Sequence, residues 1–556
     1  MRRLIHKMAV TILIFILLGS IHNLNANDHS QVELYAVHEI AFEGPQYGPQ
    51  DAPTVDVEFI TEWRHESGWP RYEIHGFWDG DGAGGTTGKV FKVRFCPTQV
   101  GKWTLVKTRS NKSELNGQKE GYTIICQPST HPGFWLVDEN SAGQRWYRRS
   151  DGSHPYVIGN TMYSFLSEYR HDGPNQSDVT SDVKGNAGYF KKIRFAITGD
   201  RYPHPTVKPF LNNQGKPTDN GNFSHRPNPA WFRQRVDVAV QTAFEQDLIA
   251  DLILNGPDTR DSRSVLVAKE NGGDCTPILK YIAARYGSLP NVWICLANEW
   301  DIKRPKFTAR EIATIGLQIK TFLAYPIPLS VHAAPTDWKI QLNTLIPWND
   351  HVILQHKIKS LPTSADFIEK NYWIGGANKP VINDELAYEG RGDLWTEPDV
   401  IEAHLGAFLG GGYGTTGFKH PVSKQGHYFT GAFNPAEHTS ADNLAWLREK
   451  IEANITFWKM QPVVDLHYTG NTLSISIFRH IDADFRAMEW KNHEYVLGTN
   501  KTHTGIEARL PAGKWQIKCF DVISKTEKLL SPEASGDFTF DAPDSRATFF
   551  LFKFVN

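Results

Sequence analysis

Eight short apolar segments, separated by stretches of helical periodicity, limit most strongly what this chain can fold into. The segments begin at Tyr156, Ile193, Leu252, Val292, Pro328, His351, Pro380 and Gly412. Before the third segment, for example, Val236, Val240 and Phe244 recur every fourth residue. Strands that alternate with helices indicate βα units and a parallel sheet. An open doubly wound sheet would begin in the same way, but an eighth unit and the loop lengths favour a closed (β/α)8 barrel, or TIM barrel, over residues 131–462.

Both flanks of this region have the period-two alternation of antiparallel strands. Examples are residues 89–95 (KVFKVRF) on the N-terminal side and residues 472–477 (TLSISI) on the C-terminal side. We therefore predict an α/β chain in which a β-sandwich over residues 27–130 and another over 463–556 flank the barrel. Gly80, Gly82 and Gly85 match the G-x-G-x-x-G pattern of nucleotide loops, but no helical stretch follows, so a hairpin turn is the better interpretation.

The first 26 residues have the pattern of a signal peptide. Arg2, Arg3 and Lys7 precede an apolar run of residues 9–18, and small residues lead to Ala26. That run is too short to span a bilayer, and no later segment reaches spanning length. We therefore expect an exported protein, periplasmic or extracellular, with no membrane span.

Charge and cysteine content narrow the classes of partner and cofactor. The 59 basic and 61 acidic residues give a net charge of −2, which supplies no electrostatic reason to bind nucleic acid. Five cysteines leave at least one unpaired within the chain. Cys96 and Cys126 are either a disulfide or two buried small residues. The chain has no C-x-x-C and no H-E-x-x-H, and no metal or cofactor is implied.

Two of the predicted strands end in glutamates. The fourth runs directly into Asn298 and Glu299, and the seventh leads to Glu385, 86 residues later. Catalytic groups of such barrels lie at the C-terminal strand ends, and strands four and seven stand nearly opposite each other. One protonated and one ionised carboxyl group facing each other is what hydrolysis of a glycosidic bond requires. Asp301 and Asp384 lie close enough in sequence to take these places if a strand end shifts, and solvated loop positions are the structural alternative for both glutamates.

These segments resemble a known family. Residues 297–299 (ANE) after the fourth strand look like the acid/base signature of clan A retaining glycoside hydrolases, and residues 380–385 (PVINDE) resemble that clan's nucleophile strand. The resemblance implies Glu299 as acid/base and Glu385 as nucleophile. The whole region is similar to apiosidase-like, candidate endoglucanase barrels. Residues 77–82 (FWDGDG) resemble the immunoglobulin-like module placed before such barrels, and residues 510–515 (LPAGKW) resemble the β-sandwich placed after them.

The first strand departs from the family pattern. Residues 160–163 read NTMY where related barrels often have a Gly-Asp-Thr-Ala-Trp type of sequence. This difference alters the predicted shape of the sugar pocket, so apiose specificity is not carried over to this chain.

Further candidates for substrate binding lie at the predicted strand ends. Asn298 would hold a sugar 2-hydroxyl, and Tyr163 and Trp300 would stack on sugar rings. The other candidates would form hydrogen bonds or ion pairs with hydroxyl or anionic groups of the substrate. They are Arg201, Asp258, His332, His356 and Lys419. Core packing, structural ion pairs and solvated loop starts are the alternatives for these residues.

The sequence thus predicts a retaining glycoside hydrolase that acts on a poly- or oligosaccharide. The alternative from another class is a non-catalytic carbohydrate-binding or scaffold protein on the same barrel, against which the presence of both glutamates counts. A polysaccharide lyase ranks lower, because it needs a base and a neutralised uronate rather than two carboxylates.

Overall fold

The structure, a computed structural model, describes residues 30–167, 179–199, 206–256, 263–334, 346–390, 395–419, 433–469 and 472–555. The predicted signal peptide lies outside these residues. Within them, every helix is too short or too polar to cross a membrane.

The N-terminal region is built from two β-sheets that pack face to face. Its elements are β1 Ser30–Glu33, β2 His38–Tyr47, α1 Pro53–Asp56, β3 Phe59–His65, β4 Arg71–His75, β5 Phe77–Trp78, β6 Gly88–Phe95, β7 Gly101–Ser110 and β8 Thr123–Gln127. One sheet has the order β1-β8-β7-β3-β4 and the other β2-β6-β5. Trp63 from the first sheet stacks on Phe95 from the second, with ring centroids 4.2 Å apart. Cys96 and Cys126 are both buried and free.

A short antiparallel hairpin precedes the barrel, made of β9 (Trp135–Val137) and β10 (Tyr147–Arg149). The barrel strands are β11 Ile158–Thr161, β12 Lys192–Ala196, β15 Ile249–Asn255, β16 Val292–Ala297, β17 Leu329–Ser330, β18 Val352–Leu354, β19 Val381–Gly390 and β20 Tyr413–Lys419. A small hairpin of β13 (Phe210–Leu211) and β14 (Pro217–Thr218) lies in the loop after β12.

Helices connect the barrel strands. They are α2 Val179–Ala187, α3 Pro229–Trp231, α4 Asp237–Glu245, α5 Thr276–Tyr286, α6 Ala309–Phe322, α7 Leu361–Ile374, α8 Glu397–Leu409 and α9 Ser440–Asn454. A π-helical turn, Phe232–Val236, joins α3 to α4, and 3-10 turns occur at Ala142–Gln144, Gly221–Phe223, Lys269–Asn271 and Phe457–Lys459.

The eight barrel strands form one parallel sheet that is nearly closed. Among the described residues its order is β17-β16-β15-β12-β11-β20-β19-β18, so β17 and β18 face each other across the remaining seam. Asp350, just before β18, bridges this seam. Its N–H donates to the Leu329 carbonyl and its carboxylate accepts from the Leu329 N–H, both at 2.8 Å. The predicted barrel is therefore confirmed.

The C-terminal region is a second pair of packed antiparallel sheets. Its strands are β21 Gln461–Val463, β22 His467–Thr469, β23 Thr472–Ile475, β24 Phe478–Ile481, β25 Phe485–Trp490, β26 Glu494–Thr499, β27 His503–Arg509, β28 Lys514–Asp521, β29 Thr526–Ala534, β30 Asp537–Ala542 and β31 Thr548–Val555. The sheet orders are β21-β25-β26-β31-β28-β29 and β22-β23-β24-β27-β30. Phe540 packs between them on Phe550, at 4.8 Å between ring centroids. The flanking β regions predicted from the sequence are thus present on both sides of the barrel.

Candidate active site

Glu299 and Glu385 face each other at the C-terminal end of the barrel strands. Glu299 is the second residue after β16, and Glu385 lies within β19. Gln355, which follows β18, donates from its Nε2 to Glu299 Oε1 at 2.8 Å and to Glu385 Oε2 at 3.2 Å. Because one nitrogen contacts both, these two oxygens lie no more than 6.0 Å apart, the sum of the two distances.

The Glu385 carboxyl group is buried and sits beside a second negative charge. Burial has the largest effect on the pKa of this carboxyl group and the charge of Glu299 the next largest; together they raise the pKa to about 7. Arg194, Lys357 and a hydrogen bond from Tyr163 act in the opposite direction without cancelling the rise. The Tyr163 hydroxyl donates to Glu385 Oε1 at 3.1 Å. A carboxyl group with this pKa changes its protonation state near neutral pH, so the two facing carboxyl groups can share a single proton there.

Asn298 is held by a cluster of buried polar side chains. Its Oδ1 accepts from the Arg194 guanidinium and lies 2.6 Å from His332 Nδ1. Arg194 also donates to the Tyr163 hydroxyl at 3.1 Å. Burial lowers the pKa of His332 well below its ordinary value, and the positive charge of Arg194 adds to this effect, so the imidazole is neutral. The amide nitrogen of Asn298 donates to the Tyr163 hydroxyl at 3.5 Å, so the amide is held at both its oxygen and its nitrogen.

A layer of buried ions lies in the barrel interior beneath this cluster. Lys192 Nζ is 2.5 Å from Asp384 Oδ1 and 3.4 Å from Asp251 Oδ2. Arg194 Nε lies 3.7 Å from Asp251 and 3.6 Å from Asp384, which makes the group two cations and two carboxylates. Lys192 and Arg194 hold the pKa of Asp384 well below its usual range against the effect of burial. Asp384 is therefore part of this ion layer, and the carboxyl group that faces Glu299 is Glu385.

The structure brings five of the predicted site residues together: Asn298, Glu299, Tyr163, His332 and Glu385. Tyr163 reaches the site as a hydrogen-bond donor, since its ring is buried rather than exposed for stacking.

Two predicted residues lie elsewhere, which corrects the sequence-based assignment. The His356 ring is exposed and packs on Phe367 of α7, with centroids 4.5 Å apart, because it points to the helix side of the barrel wall. The Trp300 side chain is buried in the hydrophobic core and offers no face to a sugar. The backbone N–H of Trp300 donates to the His332 carbonyl and its backbone carbonyl accepts from the Phe307 N–H, so the turn directs the side chain inward.

Arg201 and Asp258 lie outside the described residues. Lys419 is the last residue of β20, and its side chain lies outside the described part of the chain.

Three residues of this region were not predicted from the sequence: Gln355, Arg194 and Lys192. Gln355 could have been found from its two-residue spacing from Ile353 along the strand. Ile353 packs inside the barrel with Tyr163, Ile253 and Cys295, and a side chain two residues further along a strand lies on the same face. Arg194 and Lys192 lie on β12 with the same two-residue spacing. Among the described residues, no three His, Cys, Asp or Glu side chains are grouped as metal ligands.

A nearly closed parallel eight-stranded barrel with two carboxyl groups across its C-terminal mouth is the architecture of the barrel-type glycoside hydrolases. Residues 144–425, just over half of the chain, match the family described as apiosidase-like, catalytic domain, and the chain belongs to that family. Residues 31–111 match a domain of unknown function, DUF5060.

Solved structures share the fold at low sequence identity. A candidate glycoside hydrolase from Bacteroides vulgatus ATCC 8482 superposes with a TM-score of 0.69 at 20% identity, over 95% of this chain and all of its own. A glycoside hydrolase family 5 protein from the same organism gives a TM-score of 0.55 at 13% identity, over 76% of this chain and 93% of its own. No curated protein matches the sequence significantly. Family membership and fold together support a glycosidase.

Proposed function

We propose that this protein is an exported, retaining glycoside hydrolase that cleaves a poly- or oligosaccharide with Glu299 as acid/base and Glu385 as nucleophile. The observation that carries the proposal is the spacing of the two carboxyl groups: the two oxygens that Gln355 bridges are at most 6.0 Å apart, the sum of the two Gln355 contacts. Retaining enzymes hold their carboxyl groups about 5–5.5 Å apart, whereas inverting enzymes need about 6.5–9.5 Å for an intervening water.

In the first step, Glu385 attacks the anomeric carbon as Glu299 protonates the departing glycosidic oxygen. The product is a covalent glycosyl ester on Glu385 and a free alcohol. In the second step, Glu299, now ionised, takes a proton from water as the water oxygen attacks the same carbon and the Glu385 ester bond breaks. Two inversions return the original anomeric configuration.

This cycle requires that the pair carry one proton, which must be on Glu299 when Glu385 attacks. Burial and the charge of Glu299 raise the pKa of Glu385 to about 7, and Arg194, Lys357 and the Tyr163 hydroxyl act against this rise, so the nucleophile is available in its ionised form at neutral pH. The Asn298 amide, turned by Arg194 and His332, is placed to donate to the sugar 2-hydroxyl, a bond that strengthens as positive charge develops on the ring.

The test compares Glu385→Ala with wild type by reducing-end release from a panel of plant and bacterial polysaccharides. We expect turnover to be abolished with an unchanged circular dichroism spectrum. Glu389→Gln is the matched control on the same strand. Glu389 contacts Thr439 and Ser440 rather than Glu299, so that variant should remain active. Proton NMR of the first product should show the anomer of the substrate; the opposite anomer would exclude the retaining mechanism.

The absence of any cleavage by wild type, together with measurable glycan binding, would favour the non-catalytic interpretation. Export is tested separately by N-terminal sequencing of the protein recovered from the host periplasm or medium, where the mature chain should begin near residue 27.

A further inference from the structure

The backbone of Glu299 adopts a conformation that glutamate seldom takes. Its φ is +46°, in the left-handed region that L side chains avoid. Such a conformation persists where surrounding contacts hold it in place. Glu299 comes two residues after β16, so its φ decides the direction in which the carboxyl group leaves the barrel wall.

Arg263 supplies contacts of this kind. Its buried guanidinium donates from Nη2 to the carbonyl oxygens of Asn298 at 3.0 Å and Glu299 at 3.2 Å. From Nη1 it donates to the carbonyl of Gly256 at 2.8 Å. Gly256 directly follows β15, so one side chain ties the C-terminal ends of two neighbouring barrel strands together.

We propose that Arg263 is a positioning residue that fixes Glu299 in its left-handed conformation and thereby places its carboxyl group opposite Glu385. The placement follows from the geometry above, and its catalytic meaning rests on the proposed role of Glu299 as acid/base. Gln355 Nε2 donates to the Glu299 carboxyl group at 2.8 Å, and Lys303 Nζ lies 3.3 Å from its other oxygen, so Arg263 holds the residue at its backbone while two other side chains hold its carboxyl group.

The shape of arginine matters here as well as its charge. A guanidinium carries five N–H donors in a planar fork, whereas lysine presents one small ammonium group. The Glu299 carbonyl also accepts from the N–H groups of Ile302 and Lys303, both at 3.2 Å, so the turn gives some support of its own. The planar guanidinium adds hydrogen bonds to the carbonyl groups of Asn298 and Gly256. A lysine ammonium group, which occupies a single position, cannot form both of these bonds.

The pKa of Glu385 reports the position of the Glu299 carboxylate without any substrate. The charged and titratable groups that face Glu385 are Glu299, Arg194, Lys357, Tyr163 and Tyr388. The negative charge of Glu299 raises the pKa of Glu385, so a Glu299 carboxylate that moves away lowers it. Loss of the positive charge of Arg263 alone would do the opposite and raise it. The sign of the change therefore separates positioning from electrostatics.

The experiment is a carbon-13 NMR titration of δ-labelled glutamate in the full-length protein, with the Glu385 resonance assigned from Glu385→Gln. Glu299→Gln gives the reference shift for complete loss of the neighbouring charge. We expect Arg263→Lys and Arg263→Met each to lower the pKa of Glu385 by at least half of that reference. Arg149→Lys is the matched control, because Arg149 is equally buried and donates to the Gly133 carbonyl near the β9–β10 hairpin, away from the carboxyl pair. It should leave the pKa of Glu385 unchanged.

An unchanged or raised pKa of Glu385 in Arg263→Met would overturn the proposal, as would wild-type behaviour of Arg263→Lys. A crystal structure of Arg263→Lys provides the second measurement, in which φ of Glu299 should leave the left-handed region and the bond from Gln355 should be lost; a φ still near +46° would also overturn it. Neither measurement depends on turnover. If Glu299→Ala slowed substrates with good and poor leaving groups equally, the acid/base role would fail while the positioning result stood.

Discussion

Lys192 is the residue whose loss should reveal most clearly how the barrel interior is stabilised. Its ammonium group lies 2.5 Å from Asp384 and 3.4 Å from Asp251, and all three side chains are buried. Lys192→Met leaves two buried carboxyl groups to share Arg194, whose Nε is 3.6 Å from Asp384 and 3.7 Å from Asp251. Removing one partner of a buried ion pair costs about 3–5 kcal/mol, because the remaining charge is uncompensated. At roughly 2 °C per kcal/mol for a large domain, we expect the barrel's melting temperature to fall by about 6–10 °C.

Scanning calorimetry at pH 7 measures this change, and the double variant Lys192→Met/Asp384→Asn tests its cause. That variant removes one charge of each sign, so its melting temperature should be higher than that of Lys192→Met. Lys191→Met is the control on the neighbouring residue: Lys191 pairs with the partly exposed Asp247, which Arg149 also contacts, so its loss should change the melting temperature by about 2 °C or less.

The effect of Lys192→Met also has a defined pH dependence. Lys192 and Arg194 depress the pKa of Asp384 in the folded protein, so this pairing stabilises the fold above the unfolded pKa of aspartate, about 3.9, and the stabilisation is lost as the pH falls. In the variant, Asp384 takes up a proton more readily, and the deficit relative to wild type should shrink from pH 7 towards pH 4. A melting temperature within 2 °C of wild type, or a double variant less stable than Lys192→Met, would refute the uncompensated-charge argument.

Three further predictions concern the active site and the domain contacts. Because the nucleophile must be ionised and the pKa of Glu385 is about 7, kcat/KM should decline as the pH falls below about 7. Gln355→Leu removes a hydrogen-bond donor from the Glu385 carboxylate, so the acidic limb of the pH profile should shift to higher pH by up to about one unit. His356→Ala should leave this limb in place. Identical profiles for the two variants would contradict the role of Gln355. Truncation after Pro462 uncovers the barrel surface that packs on Met488 and Phe549, and the shortened chain should be insoluble on expression, as measured by its partition after lysis.

The barrel could be predicted from the sequence because parallel strands covered on both faces are continuous apolar runs. All eight predicted segments overlap the barrel strands, and the helices lie between them. The ends were less clear. The seventh strand was expected to lead to Glu385 at its end and continues to Gly390, because the buried residues Leu386, Ala387 and Tyr388 extend the run past Glu385. At the N-terminal flank, residues 55–60 (VDVEFI) also alternate between apolar and polar residues as in a strand, yet this segment begins within the short helix α1 and β3 starts only at Phe59.

The direction of side chains could not be predicted in the same way, and this explains the error at His356. In a strand with one wet face, polar and apolar residues alternate and show which face is which. In β18, Val352, Ile353 and Leu354 are all buried, so the sequence does not show which set faces the interior. Ile353 does, and Gln355 follows it to the carboxyl pair while His356 points to the helices.

The charged residues inside the barrel were not predicted, for a related reason. Arg194 and Lys192 lie in an otherwise apolar strand, and a charged residue in a strand is usually exposed. Their partners, Asp251 and Asp384, are distant in sequence, so the ion layer becomes visible only when the barrel brings the strands together.

The different roles of the adjacent residues Asp384 and Glu385 depend on an irregularity in β19. Neighbouring residues of a regular strand point to opposite faces, yet both of these side chains lie inside the barrel. Between Asn383 and Ala387 the pairing with β20 advances four residues on β19 against two on its partner, from Gly414 to Thr416. The two extra residues form a bulge, a device that redirects side chains beside functional sites. The Asp384 side chain then contacts Lys192 in the barrel interior, and the Glu385 side chain points towards Glu299 at the mouth. Because both residues are carboxylic acids, composition and spacing cannot distinguish them; the bulge does, by giving one a cation at 2.5 Å and the other a second carboxyl group across the mouth.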